Sequence, residues 1–181
     1  MEPTPAQTIG PFFAYALPYA GGPDLVSSAH PDAVRLRGTV LDGAGLPVPD
    51  ALVEIWQAGP DGGPVRSAGS LHRDGFTFTG WGRAASDNAG HYWFTTLAPG
   101  AATEGGVPFI AMAVFARGLL DVLFTRVYLP GHPGLDGDPL LASLPPERRD
   151  TLLARRDGSD LVFDVVLQGE RETVFLTHAP H

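Results

Sequence analysis

The residue whose surroundings most suggest chemistry is Arg126. It lies in residues 120–129, a run with strand character. Side chains alternate along a strand, so Val122, Phe124, Arg126 and Tyr128 share one face. A guanidinium in an apolar stripe needs an anion, a group of carbonyls or a route to water. Asp121 or Glu54 of the same chain would serve, and so would an anionic substrate.

Other chemistry is bounded by absences. All twelve basic residues are arginine, and there is no cysteine. Schiff-base, pyridoxal-anchoring and Walker-type lysines are therefore excluded, together with thiol nucleophiles, iron–sulfur clusters, cysteine-held zinc and disulfides. The six histidines, His30, His72, His91, His132, His178 and His181, show neither i, i+2 spacing nor a His-Glu-x-x-His helix, and they read as surface imidazoles. No Gly-x-Ser-x-Gly elbow occurs. Asp61, Asp74 and Asp87 suit turns, and Trp56, Trp81 and Trp93 suit a core or an interface. Residue by residue, the chain reads as a β-sandwich without a catalytic centre of its own.

Strands must position whatever site exists. Runs 34–42 and 51–57 alternate around a Gly/Pro turn and predict an antiparallel hairpin. Residues 76–82 suit a short strand and 91–97 a clear one. Run 109–116 is apolar on both faces, which predicts burial on both and a hairpin with 120–129. Residues 145–156 predict the one helix, with proline in the first turn and Gly158 beyond its end. Strands at 161–167 and 172–176 close the chain. The expected fold is an all-β antiparallel sandwich over 34–181, preceded by an extended arm, 1–33. That arm is rich in proline but carries Phe12, Phe13, Tyr15 and Tyr19, so it should pack on its own domain or on a neighbouring chain.

The net charge of −8 opposes binding to a nucleic-acid backbone. No apolar run approaches the ~20 residues of a membrane span, and the N-terminus lacks signal-peptide character. The cytoplasm is the expected compartment.

Longer motifs carry a family likeness. Glu54-Ile-Trp-Gln57, Gly82-Arg83, Asp87-x-x-Gly90-x-Tyr92-x-Phe94 and Pro99-Gly100 resemble the intradiol ring-cleaving dioxygenases. Thr4-Pro-x-Gln-Thr-x-Gly-Pro-Phe12, Phe115-Ala-Arg-Gly118, Thr125-Arg-x-Tyr128 and Gln168-Gly-Glu-x-Glu-Thr-Val-Phe175 are similar to the alpha-type chains of its heteromeric branch. The resemblance implies a sandwich fold and a non-haem Fe(III) held by two tyrosinates and a His-x-His strand. Here Phe109 and Ala111 occupy the two histidine positions. The loop 62–66 has no tyrosine, and Ala101-Ala102 stands where the second tyrosine belongs. The resemblance thus implies a non-catalytic chain, its Fe(III) held by a homologous beta subunit that opens protocatechuate with O2. Thr8, Gly10, Pro11 and Arg126 would help form that partner's substrate pocket. A transthyretin-like or carboxypeptidase-regulatory-like binding or scaffolding module, without such a partner, is the alternative. A self-sufficient catechol or hydroxyquinol dioxygenase fails on the ligands.

Overall fold

Alternation decides which strand faces meet. Leu36 and Val40 are buried while Arg35 and Arg37, on either side of Leu36, point away, and Tyr92 and Phe94 alternate likewise with His91 and Trp93. The computed structural model describes residues 8–10, 12–66 and 73–177. Its strands are β1 (Ala33–Leu41), β2 (Leu52–Gln57), β3 (Trp81–Ala85), β4 (His91–Leu97), β5 (Phe109–Phe115), β6 (Leu123–Tyr128), β7 (Arg155–Asp157), β8 (Asp160–Val162) and β9 (Val165–Val166). One sheet runs β4-β1-β8-β7, with β9 also on β1, and the other runs β3-β2-β5-β6. Only β8 and β9 pair in parallel with β1. This is the antiparallel-dominated sandwich expected, with Leu36, Val40, Ile55, Phe94, Ile110, Met112 and Val127 in its core.

The Asp87-x-x-Gly90-x-Tyr92-x-Phe94 motif builds one corner. Asp87 Oδ1 accepts the N–H groups of Ala89 and His91, and Gly90 adopts φ +76°, a value glycine reaches without strain. Tyr92 then donates to the Phe163 carbonyl at 2.6 Å across the core and meets Phe94 edge-on. Burial pushes the Tyr92 phenol well above its usual range. Asp61 and Asp74 likewise accept turn N–H groups.

The hairpin expected from 34–42 and 51–57 does not form. β1 and β2 lie in opposite sheets. The chain does reverse, with Asp42 Oδ1 accepting from Ala44 and Leu46. Pro47 and Pro49, however, offer no N–H to a ladder, and Asp50 sits at φ +59°. The segment crosses over, and Ala51 donates to Ser86 beside β3.

β5 and β6 pair as expected. Burial of β5 on both faces is corrected: Ile110, Met112 and Val114 are buried, whereas Phe109, Ala111, Ala113 and Phe115 are only half-covered. The strand placed at 76–82 starts instead at Trp81. The helix placed at 145–156 is α3 (Pro146–Arg149), continued by a 3-10 turn, Asp150–Leu152, because Arg155 and Arg156 already belong to β7. Among the described residues two more four-residue helices occur, α1 (Phe13–Ala16) and α2 (Pro139–Ala142). No strand forms at 172–176; Leu176 bridges Phe124 of β6, and Thr125 of β6 donates its hydroxyl to the Val174 carbonyl at 2.8 Å.

N-terminal to β1, Leu25 and Val26 are buried. Leu25 donates to Thr95, and Arg83 N–H to Gly22. Tyr19 stacks on Trp81 with ring centroids 6.1 Å apart. Among the described residues, no helix is long and apolar enough to cross a membrane.

Candidate functional site

The outer face of β3-β2-β5-β6 carries the residues singled out by sequence. Inward residues Ile55, Ile110, Met112 and Val127 fill the core, so their neighbours Glu54, Trp56, Phe109, Ala111 and Arg126 point the other way. Two cavities adjoin on this face, of about 410 Å³ and about 360 Å³, and both are lined by Trp56, Phe109 and Ala111. None of the three tryptophans is buried in the core; Trp56 is 61% exposed.

The first cavity gathers three positions that the family resemblance matched to metal ligands of relatives. Ala102, Phe109 and Ala111 all line it, with Gly62 and Gly100. Its rim is tied by main chain: Gly59 N–H donates to Gly63, Gly62 to Gly59, and Gly100 to Gly59 at 2.8 Å. A side chain on Gly62 would strike the Ala101 carbonyl, and one on Gly100 would strike Pro60. Gln57 also lines this cavity, but its amide is spent: it donates to Leu97 at 2.7 Å and accepts from Thr96 at 2.7 Å.

Arg126 lines the second cavity. It faces Ala111 across the ladder, while Tyr128 faces Phe109. Its guanidinium lies 4.1 Å from the Phe109 ring centroid, a cation–π contact. Nη1 donates to Tyr128 Oη at 3.2 Å, and Tyr128 donates to Asp138 Oδ1 at 3.0 Å. Burial pushes the Tyr128 phenol up; Arg126 pulls it partly back, and Asp138 pushes it further up. Neither carboxylate considered from sequence serves Arg126. Glu54 instead pairs with Arg83, at 2.8 Å from Nε and 2.6 Å from Nη2. No ion pair to Asp121 forms among the described residues.

Thr8 and Gly10 line neither cavity. Thr8 Oγ1 accepts from Gly118 N–H at 3.2 Å, at the turn between β5 and β6. Gly10 is exposed, with open space where a Cβ would stand. Pro11, His72, His178 and His181 lie outside the described residues. Sequence reasoning missed the Tyr128–Asp138 link. Asp138-Pro139 did carry a helix-cap signal, and Asp138 accepts from Leu140 and Leu141.

A family model described as Dioxygenase matches residues 10–107. A protocatechuate 3,4-dioxygenase alpha chain of Burkholderia cepacia is 38% identical over 97% of this chain and 97% of its own. The chain belongs to the intradiol ring-cleaving dioxygenases. A beta chain from the same organism, likewise named for protocatechuate 3,4-dioxygenase, is 34% identical over 78% of this chain and 67% of its own. Among solved structures, the dioxygenase domain of a carbohydrate-binding fusion protein from Streptomyces sp. SirexAA-E superposes with a TM-score of 0.61. It is 28% identical and covers 93% of this chain and 99% of that one.

Intradiol dioxygenases are in general iron-dependent, so the fit of iron to this cavity matters. The donor set does not fit. Ala102, Phe109 and Ala111 bring no ligand atom, and both ends of the Gln57 amide are occupied. Among the described residues, no three His, Cys, Asp or Glu side chains converge. What this intradiol chain offers is an apolar, tryptophan-flanked cleft with one guanidinium beside it.

Proposed function

We infer that this chain is the alpha subunit of a protocatechuate-opening intradiol dioxygenase, shaping the pocket of a homologous beta subunit that carries the Fe(III). The observation behind this reading is the cavity furnished by Phe109, Ala111 and Ala102, in a chain similar to both alpha and beta chains of such an enzyme. The beta subunit's Fe(III) would supply the O2 chemistry by which protocatechuate becomes 3-carboxy-cis,cis-muconate. This chain's share is recognition. Arg126 offers a planar, forked set of N–H donors matched to a carboxylate such as that of protocatechuate. Thr8, Gly10 and Pro11 bring backbone near the partner's substrate, where glycine allows close approach. The half-covered outer face, with Trp56 at its centre, is the surface the partner covers, and the assembly belongs to the cytoplasm.

Co-expression with the beta subunit of the same organism tests this reading. The expected result is a stable complex containing iron and consuming O2 with protocatechuate. The isolated chain should be colourless, without tyrosinate-to-iron absorption. Failure to form a complex would instead favour a scaffolding module, and a coloured single chain would refute the assignment.

A further inference from the structure

We propose that Tyr128 and Asp138 are positioning residues for Arg126, and that Phe109, on the strand that lacks metal ligands, is the platform on which its guanidinium rests. The inference rests on the reading of Arg126 as a carboxylate contact. A long arginine side chain on an open sheet face samples many rotamers, yet here it is held at two points. Phe109 covers one face of the guanidinium at 4.1 Å, and Tyr128 accepts from Nη1 at 3.2 Å.

The direction of that second bond is fixed from behind. A phenol has one proton to donate, and Tyr128 gives it to Asp138 Oδ1, leaving its lone pairs to face Arg126. Asp138 is itself immobilised, since the same oxygen accepts the N–H groups of Leu140 and Leu141 at the start of α2. Tyr128 is fully buried, so water does not compete for its hydroxyl. The chain of contacts therefore runs from a helix cap through a buried phenol to a guanidinium at the cavity wall. No described residue takes the remaining N–H groups of Arg126, which leaves them free for a substrate anion.

The residues at positions 109 and 111 make this arrangement possible. Ala111, directly across from Arg126, carries only a methyl group and leaves room for the guanidinium to lean toward position 109. Phe109 and Arg126 are diagonal neighbours on the ladder, within reach of long and aromatic side chains. A larger side chain at position 111 would fill that space.

The test uses the complex with the beta subunit and steady-state kinetics with protocatechuate. Tyr128→Phe should raise KM about tenfold, the scale of one hydrogen bond to a charged group, with kcat within about twofold. Arg126→Gln should raise KM further, and adding Tyr128→Phe to it should change nothing more, because the two act as a unit. Phe109→Leu, which keeps the cavity apolar, should raise KM several-fold and carries the test if Tyr128→Phe does not assemble. An unchanged KM in Tyr128→Phe beside a raised one in Arg126→Gln overturns the positioning role alone. Additive losses in the double variant assign Tyr128 to general structure and also overturn it. An unchanged KM in Arg126→Gln removes the carboxylate contact and the inference with it. A wild-type complex unable to open protocatechuate overturns the functional reading as a whole.

Discussion

Replacing Trp56 with alanine separates what the chain needs for itself from what it needs for its partner. The side chain leaves 61% of its surface in water, which for an aromatic group of ~250 Å² is on the order of 150 Å². Covering that area is worth roughly 3–4 kcal/mol at about 25 cal/mol per Å². The alanine methyl retains a little, so a loss of about 3 kcal/mol corresponds to a Kd raised on the order of a hundredfold. The isolated fold should hardly respond, because exposed substitutions usually stay within about 0.5 kcal/mol. Urea unfolding of the single chain gives one number, and titration of the labelled chain with the beta subunit gives the other. The reasoning is refuted if Kd moves less than threefold, or if Trp56→Ala costs the isolated chain more than about 1 kcal/mol.

Two further outcomes concern the fold itself. A Cβ at Gly38 would overlap the Phe163 carbonyl and crowd the Tyr92 hydroxyl, so Gly38→Ala should cost about 3–5 kcal/mol through strand separation and a broken buried hydrogen bond; a urea midpoint like the wild type would contradict this. Asp74 is held down to a pKa of about 2, first by the Thr77 hydroxyl, then by the N–H groups of Thr77 and Phe76. Because its folded value is depressed, the stabilisation of this turn is complete above the ordinary carboxylate range and is lost as pH falls through about 2. Carboxylate NMR titration should show that midpoint, and Thr77→Val should move it toward the unperturbed value of about 3.9. A wild-type midpoint near 3.9 would sink the assignment.

Local pattern marked β1, β2, β4, β5 and β6 and the pairing of β5 with β6, but it did not report the partners of β1 and β2 and it missed β7. Alternation in β1 and β2 correctly marked one buried face on each strand. Both sheets bury their inner faces against the same core, so the pattern could not reveal that Pro47, Pro49 and Asp50 carry the chain from one sheet to the other. The apolar outer residues of β5 suggested burial because hydrophobicity alone does not distinguish a core from a half-covered outer face. In the site, the spacing of Phe109, Ala111 and Ala102 within longer motifs was readable, and all three line one cavity. The surroundings of Arg126 were not. Glu54 was plausible by charge but is taken by Arg83, and Tyr128 is pinned by Asp138, ten positions on, through a fold-dependent approach.

The main-chain knitting of the rim at Gly59, Gly62, Gly63 and Gly100 has a consequence for how such a chain can evolve. The cleft keeps its outline through peptide–peptide bonds, so side chains facing it can drift without deforming the walls. Positions 102, 109 and 111 are thereby freed for new uses, while Gly62 and Gly100 are not, since any larger residue collides with neighbouring backbone. Substitutions at the three open positions would change the chemistry of the cleft and leave its contour in place.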